Sequence, residues 1–288
     1  MNENHPLFGD TLPDVFAKYL VTFNCENLSS VEIIGQREVA QRLTYSGFIV
    51  EIRGHWCICT AGHCIEEIRS LLSAGQDLRN WVIDDSAIQA PPGRLPLPFS
   101  PDFTRDIHLV THEEYGLDYA LILLSDLTKL GLQSNGIRAI DVRKLDDPFE
   151  RADYWVLCGV PAQTIVDHHT ADMVTKEYTG IVIKPLEQEP EDWPNPKDAP
   201  RLYGQLYESS RPEDNTLNIA GMSGGPLFSL VKNTDDTYLV KLIGIQSAWW
   251  PERRIIAACP AAPLFDALER SLRELEQAEE AESPADGA

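Results

Sequence analysis

An all-β chain is what this 288-residue sequence predicts, and three observations predict it. Apolar residues alternate over short runs such as Val31-Glu32-Ile33-Ile34 and Ser46-Gly47-Phe48-Ile49-Val50-Glu51-Ile52, the period of a half-buried strand. Similar short runs recur along the chain, separated by turn-forming residues. Helical spacing is confined to a few short stretches, and no repeat of solenoid period is present.

Taken in order, Leu12 to Phe23 reads as a short helix running into a first strand, followed by the two alternating runs above and an apolar strand over Cys57-Ile58-Cys59. Glu66 to Ser73 has helical spacing, and the prolines of Pro91 to Pro101 mark a surface loop. Ile107-His108-Leu109-Val110 is expected to pair with the strand that begins at Asp118. Asp141 to Asp153, charged and interrupted by Pro148, suits a link between two halves. Beyond it, strands are predicted over Trp155 to Val160, Gly180 to Lys184, Leu202 to Tyr207, Pro226 to Val231, Tyr238 to Ser247 and Ile255 to Ala258. Glu187 to Pro200 is too acidic and proline-rich for a strand or helix, and Pro263 to Glu274 has helical spacing after a proline start.

Composition narrows the function classes. The net charge is −21 and the 24 Lys and Arg are scattered, which opposes binding to nucleic acid or to an anionic membrane surface. No run is long and apolar enough to span a membrane, and the N-terminus lacks the basic start and apolar core of a secretory signal. Six cysteines in a chain of this size do not make a disulfide scaffold. Cys57 and Cys59, two apart on a strand, should share a face as small buried hydrophobes. These features together point to a reducing, cytoplasmic setting.

Three segments carry chemistry: Thr60-Ala61-Gly62-His63-Cys64, Leu117-Asp118-Tyr119-Ala120-Leu121 and Gly221-Met222-Ser223-Gly224-Gly225-Pro226. A serine hydroxyl needs an imidazole to take its proton and later protonate the leaving group, and His63 offers one. The imidazole needs an acceptor on its other nitrogen to fix the tautomer, which Asp118 at the mouth of an apolar strand supplies. A tetrahedral intermediate needs N–H donors for its oxyanion, and the Gly221 and Ser223 amides can converge in a loop that glycine lets turn tightly.

In the order His, Asp, Ser these segments resemble the trypsin/chymotrypsin family: TAGHC is similar to its TAAHC segment, GLDYALILL to its Asp-Ile-Ala-Leu-Leu segment, and GMSGGPLF to its Gly-x-Ser-Gly-Gly-Pro nucleophile loop. The resemblance implies two antiparallel six-stranded β-barrels of chymotrypsin type with a C-terminal helix. It implies an N-terminal extension over residues 1–30, a protease domain over 31–272 with its first barrel to about 145 and its second from about 154, and an acidic, disordered tail over 273–288. It implies a serine endopeptidase with His63, Asp118 and Ser223 catalytic, Gly221 and Ser223 forming the oxyanion hole, and a protein or peptide substrate.

The same resemblance places Leu217 at the base of the pocket for the residue preceding the cut, where trypsins carry aspartate, so apolar or small residues are expected there. It places Ser247 and Trp249 on the strand that pairs with substrate backbone. It also exposes departures. Secreted relatives join the cysteine after the catalytic histidine to an upstream partner, and Ser46-Gly47-Phe48 offers none, so Cys64 is expected to stay a thiol. Zymogen activation uses an aspartate directly before the nucleophile, and that position is Met222. Either the enzyme is constitutively formed or a partner or ligand orders the loop and completes the oxyanion hole, the second being the expectation for a cytoplasmic endopeptidase, and a bacterial regulatory or defence role follows by resemblance alone.

No cofactor or metal is implied. Asp167-His168-His169 matches a phosphoesterase triplet without the further acidic clusters that fold needs, and His55, His108 and His112 have no partner at ligand spacing. Two other function classes compete: a protease-fold module that binds peptide without cutting, and a triad hydrolase acting on a non-peptide ester or amide.

Overall fold

The structure is a computed structural model that describes residues 12–34, 37–85, 96–112, 115–142, 152, 154–168, 173–194, 196–207, 218–232 and 238–282. The first half contains helix α1 (Leu12–Ala17) and strands β1 (Leu20–Ile34), β2 (Arg37–Ile52), β3 (His55–Thr60), β4 (Leu78–Asp84), β5 (Leu97–Pro98), β6 (Ile107–His112), β7 (Leu117–Leu123) and β8 (Ile140–Asp141), with α2 (Gly62–Ser73) after β3 and α3 (Asp126–Ser134) after β7. The strands form an eight-stranded sheet in the order β5-β4-β1-β2-β3-β7-β6, with β8 pairing β2. Six of these are long and two, β5 and β8, are two-residue additions.

The second half holds β9 (Tyr154–Gly159), a short hairpin of β10 (Val166–His168) and β11 (Met173–Thr175), then β12 (Thr179–Leu186), β13 (Leu202–Leu206), β14 (Pro226–Lys232), β15 (Tyr238–Trp250) and β16 (Ile255–Pro260). Strands β12-β13-β16-β15-β14-β9 close into a six-stranded antiparallel barrel, the six predicted from the sequence. Helix α4 (Ala261–Glu282) follows β16. The all-β fold with a C-terminal helix is therefore as expected.

Alternation along the central strands explains the two cores. Trp56 and Ile58 of β3, with Ala120 and Ile122 of β7, face a core internal to the first sheet. Cys57, Cys59, Tyr119 and Leu121 face the opposite way, into a core shared with Val156, Cys158, Phe228 and Ile245 of the barrel and with Leu264 and Phe265 of α4. The two strand cysteines thus share a face and are buried, as their spacing predicts. Phe16 of α1 completes the shared core by stacking on Phe228 at 4.6 Å between ring centroids.

Two expected boundaries fall differently. Residue 30 lies inside β1, which pairs with β2 from Leu20↔Phe48 to Ile34↔Arg37, so residues 20–30 are part of the sheet rather than an extension. The acidic end is helical through Glu282, because α4 continues past residue 273.

Candidate active site

His63 enters the site as the second residue of α2, immediately after β3 ends at Thr60. The preceding position can hold nothing but glycine as packed: a Cβ on Gly62 would meet Thr111 Cγ2 at 2.2 Å and Asp118 Oδ1 at 3.0 Å. That close approach brings the helix start against β7. The His63 backbone N–H donates to Asp118 Oδ1 at 2.7 Å, and the ring Nδ1 lies 2.8 Å from Asp118 Oδ2. Both carboxylate oxygens are thereby committed to one residue, which fixes the ring and leaves Nε2 for other chemistry. The Asp118 side chain is 13 % exposed and the His63 ring 44 %, so the carboxylate is the buried member.

Burial by itself would lower the imidazole pKa. The hydrogen bond from Asp118, with a contribution from Cys64 and the carboxylate charge, outweighs it, and the ring is raised above its ordinary value. The physical content is that Asp118 stabilises an imidazolium.

Asp118 is itself held from the other half. The Gly116 carbonyl accepts from Arg201 Nη2 at 2.7 Å and from Cys259 Sγ at 3.3 Å, and the Tyr119 hydroxyl donates to the Pro260 carbonyl at 2.6 Å.

Ser223 sits in the turn that leads into β14. Met222 N–H donates to Ile219 O at 3.0 Å, Gly225 N–H to Met222 O at 2.8 Å and Gly224 N–H to Gln246 O at 2.9 Å. Among the described residues, the N–H groups of Gly221 and Ser223 make no hydrogen bond. Gly221 has φ +90° and Gly224 φ +85°, backbone that side chains other than glycine's rarely adopt. Gly224 also has no room for a Cβ, which would lie 2.1 Å from Thr60 Oγ1 and 2.8 Å from Ala61 N. The serine loop of the barrel is therefore seated directly on the strand end that delivers His63. Ser46, buried, locks it there: its hydroxyl donates to the Gly221 carbonyl at 3.0 Å and accepts from Val160 N–H at 3.3 Å.

The structure thus brings His63, Asp118, Gly221 and Ser223 to the junction of the two halves. Ser247 follows Gln246, whose N–H donates to Gly225 O at 2.9 Å, and its hydroxyl donates to Ala257 O at 3.4 Å. Trp249 packs against the cluster that includes Ile219 and Met222, the residues flanking this loop. Leu217 lies outside the described residues.

Other candidates resolve into packing. Trp250 meets Trp193 edge-to-face at 5.8 Å, and Arg253 covers it while pairing with Asp192 at 3.0 Å. All six cysteines are free, Cys64 among them. Among the described residues no group of three or more His, Cys, Asp or Glu is placed to hold a metal. His55 starts β3 and His108 and His112 lie on β6, while Asp167 and His168 lie on β10 and His169 falls outside the described residues. No helix is long and apolar enough to cross a membrane among the described residues.

No protein-family model and no curated protein matches this chain. Solved structures do. A thermostable serine protease, AL20, from an extremophilic microorganism matches over 86 % of this chain and 92 % of its own at 15 % identity, TM-score 0.42. The Rv3671c protease from M. tuberculosis in its active form matches over 89 % and 82 % at 11 % identity, TM-score 0.45. An HtrA-type protease, AlgW, with a decapeptide matches over 90 % and 65 % at 14 % identity, TM-score 0.42. These neighbours are trypsin/chymotrypsin-like serine proteases. At such identity and overlap the chemistry of the present chain rests on its own atoms.

Proposed function

We propose that this protein is a serine endopeptidase that works through His63, Asp118 and Ser223. The observation that supports the reading most is the doubly bonded His63–Asp118 pair, 2.8 Å through the ring and 2.7 Å through the backbone, beside a serine loop with two unengaged amides. In this reading His63 Nε2 takes the Ser223 proton as Oγ attacks a peptide carbonyl. Asp118 stabilises the imidazolium that results. The Gly221 and Ser223 N–H groups donate to the oxyanion, a contribution worth about 3–4 kcal/mol per donor in comparable sites. His63 then protonates the leaving amine, and the acyl group on Ser223 is released by water activated through the same nitrogen.

The substrate runs beside Ser247 and Trp249 as an added strand. Leu217, standing where the resemblance places the aspartate of trypsins, favours an apolar or small side chain before the cut. The natural substrate in this reading is one or a few partner proteins, met in a reducing, cytoplasmic compartment where the six free cysteines remain thiols.

Fluorophosphonate labelling of wild type and Ser223→Ala tests the reading without knowledge of the substrate. We expect covalent labelling of the wild type, at Ser223, and none of the variant. Folded wild type that resists the probe, both purified and in cell lysate, would overturn it.

A further inference from the structure

Lys176 lies between β11 and β12, at the foot of the hairpin that leaves the barrel after β9. Its side chain is only 3 % exposed, with Nζ 2.7 Å from Asp84 Oδ2. The same ammonium donates to Thr22 Oγ1 and lies 5.7 Å from the Tyr178 ring centroid. Thr22 and Asp84 are register partners on β1 and β4, so a cation from the second half is inserted between two strands of the first. The Tyr178 hydroxyl adds a bond to the Asp84 carbonyl at 3.2 Å.

A buried ion pair is a poor source of net stability, because desolvation offsets the Coulomb attraction. Its geometric consequence is sharper. The next residue, Glu177, meets Thr164 through its main chain: its N–H donates to Thr164 Oγ1 at 3.4 Å, while the one hydroxyl proton of Thr164 is shared between the carbonyls of Pro161 at 2.8 Å and Glu177 at 3.3 Å. Thr164 belongs to the tight turn Ala162–Thr164. From that turn Ala162 N–H donates to Ala220 O at 2.7 Å, and Gln163 Oε1 accepts from Asn218 N–H at 3.3 Å. The Ala162 backbone fills the space into which a Cβ on Gly221 would project. An unbroken path of bonds and contacts therefore runs from the buried ammonium to the oxyanion loop.

The loop has no charge of its own to hold it. Met222 stands where the family resemblance places a zymogen-switch aspartate, and it is fully buried, packed over Gly159.

We propose that Lys176 is a positioning residue for the Gly221–Ser223 loop: anchored between β1 and β4, it fixes the Ala162–Thr164 turn against Ala220 and Gly221 and so keeps the amides that donate to the oxyanion in place. The proposal rests on the serine-hydrolase reading of Ser223 for its catalytic meaning, but its structural core is separable from it.

The test uses two variants of the full chain. Lys176→Met with Asp84→Asn removes the tether together with its direct ionic partner, leaving the buried Asp85 carboxylate, which the ammonium also faces, on its bond from Asn135 Nδ2 at 2.9 Å, and Thr164→Val cuts the path midway with no change of charge. Fluorophosphonate labelling rate, urea midpoint and the NMR signals of the Gly221 and Ser223 amides and of the His63 Nδ1 proton are read for each. We expect labelling about 10- to 100-fold slower at every pH, less than the loss of a whole donor. We also expect displaced Gly221 and Ser223 amide signals and an unmoved His63 Nδ1 proton. Labelling within about twofold of wild type and unmoved Gly221 and Ser223 signals in either folded variant would overturn it; so would slowing that only follows the unfolded fraction. If wild type itself fails to label, the hydrolase reading has failed, and displaced or unmoved amide signals still decide the tether.

Discussion

Replacing Gly62 by alanine, the residue the family resemblance would supply in TAAHC, is expected to destabilise this protein, and the structure says which neighbour is responsible. At an unobstructed helix start the change would stabilise, by about 0.4–1 kcal/mol, by restricting the unfolded chain. Here the new Cβ would stand 2.2 Å from Thr111 Cγ2. The methyl is not free to swing away, because the Thr111 hydroxyl donates to Glu66 Oε1 at 2.5 Å. Relief costs either that charged hydrogen bond, about 1.5–3 kcal/mol at its upper range and less at an exposed site, or overpacking of about 1–3 kcal/mol. The net expectation is a loss of about 1–2 kcal/mol, the obstruction outweighing the entropic gain. Thr111→Ser deletes Cγ2 and keeps the hydroxyl, so in that background Gly62→Ala should cost less than in wild type, with the contacts to Asp118 Oδ1 at 3.0 Å and Tyr119 N at 3.1 Å remaining. The assay is urea unfolding of the four proteins of this cycle, with the coupling energy taken from their midpoints. A Gly62→Ala protein as stable as wild type, or an equal cost in both backgrounds, would refute the reasoning.

Two further outcomes follow from the pair and the loop. Because Asp118 raises the His63 pKa and a general base must be neutral, labelling should rise with pH through a midpoint above the ordinary histidine value of about 6.5. Asp118→Asn should move that midpoint down and slow labelling by about 10⁴. The stabilisation the pair provides should be complete below pH about 6.5 and fade as pH rises through the raised value, so the urea midpoints of wild type and Asp118→Asn should converge at high pH. Gly224→Ala, which forces φ +85° on alanine and places its Cβ 2.7 Å from Ser46 O, should cost at least about 2 kcal/mol by urea unfolding and abolish labelling; a stable, labelled variant would contradict the seating of the serine loop on β3.

What was legible in the sequence was what is encoded within a few consecutive residues. Each strand of the closed barrel is short, apolar and bounded by turn residues, so its period survives inspection. The three chemical motifs are equally local: a strand end before His63, an apolar strand after Asp118, glycines around Ser223. The length of β1 was hidden because Thr22, Asn24 and Asn27 are buried polar residues on it. They are satisfied in ways that periodicity cannot show, Asn24 by Thr22 at 3.3 Å and Asn27 by Gln76 at 3.2 Å, with a bulge between Asn27 and Val31. β4 was missed for a related reason, since Asn80 has φ +55° and bonds Glu26 at 2.6 Å. Helix α3 starts on a Ser125 cap that accepts from Thr128 N–H, but Leu127 and Leu130 point to solvent, at 81 % and 59 % exposure, while Leu132 is buried, so its apolar spacing does not mark the face it buries. The Lys176 anchor joins segments 154 residues apart in the case of Thr22, and no local pattern announces it.

The charge of the chain and the chemistry of the site pull in opposite directions, and distance decides between them. A protein of net charge −21 disfavours one more negative charge anywhere on it. That repulsion comes mostly from exposed carboxylates, which salt screens beyond about 8 Å at physiological ionic strength. In the proposed reading the groups that meet an oxyanion are the Gly221 and Ser223 amides themselves, and a hydrogen bond of that length lies beyond the reach of screening. The same ordering applies to His63. The carboxylate 2.8 Å from its ring outweighs a desolvation that acts the other way. What the proposed chemistry demands of the fold is therefore short-range placement, and each half supplies it for the other. The second half fixes Gly116 and Tyr119 on either side of Asp118, and the first fixes Gly221 and Gly224 on either side of Ser223. A site assembled this way is only as well formed as the docking of the two halves, so small residues at the junction, Gly62 and Gly224, matter to it alongside the charges within it.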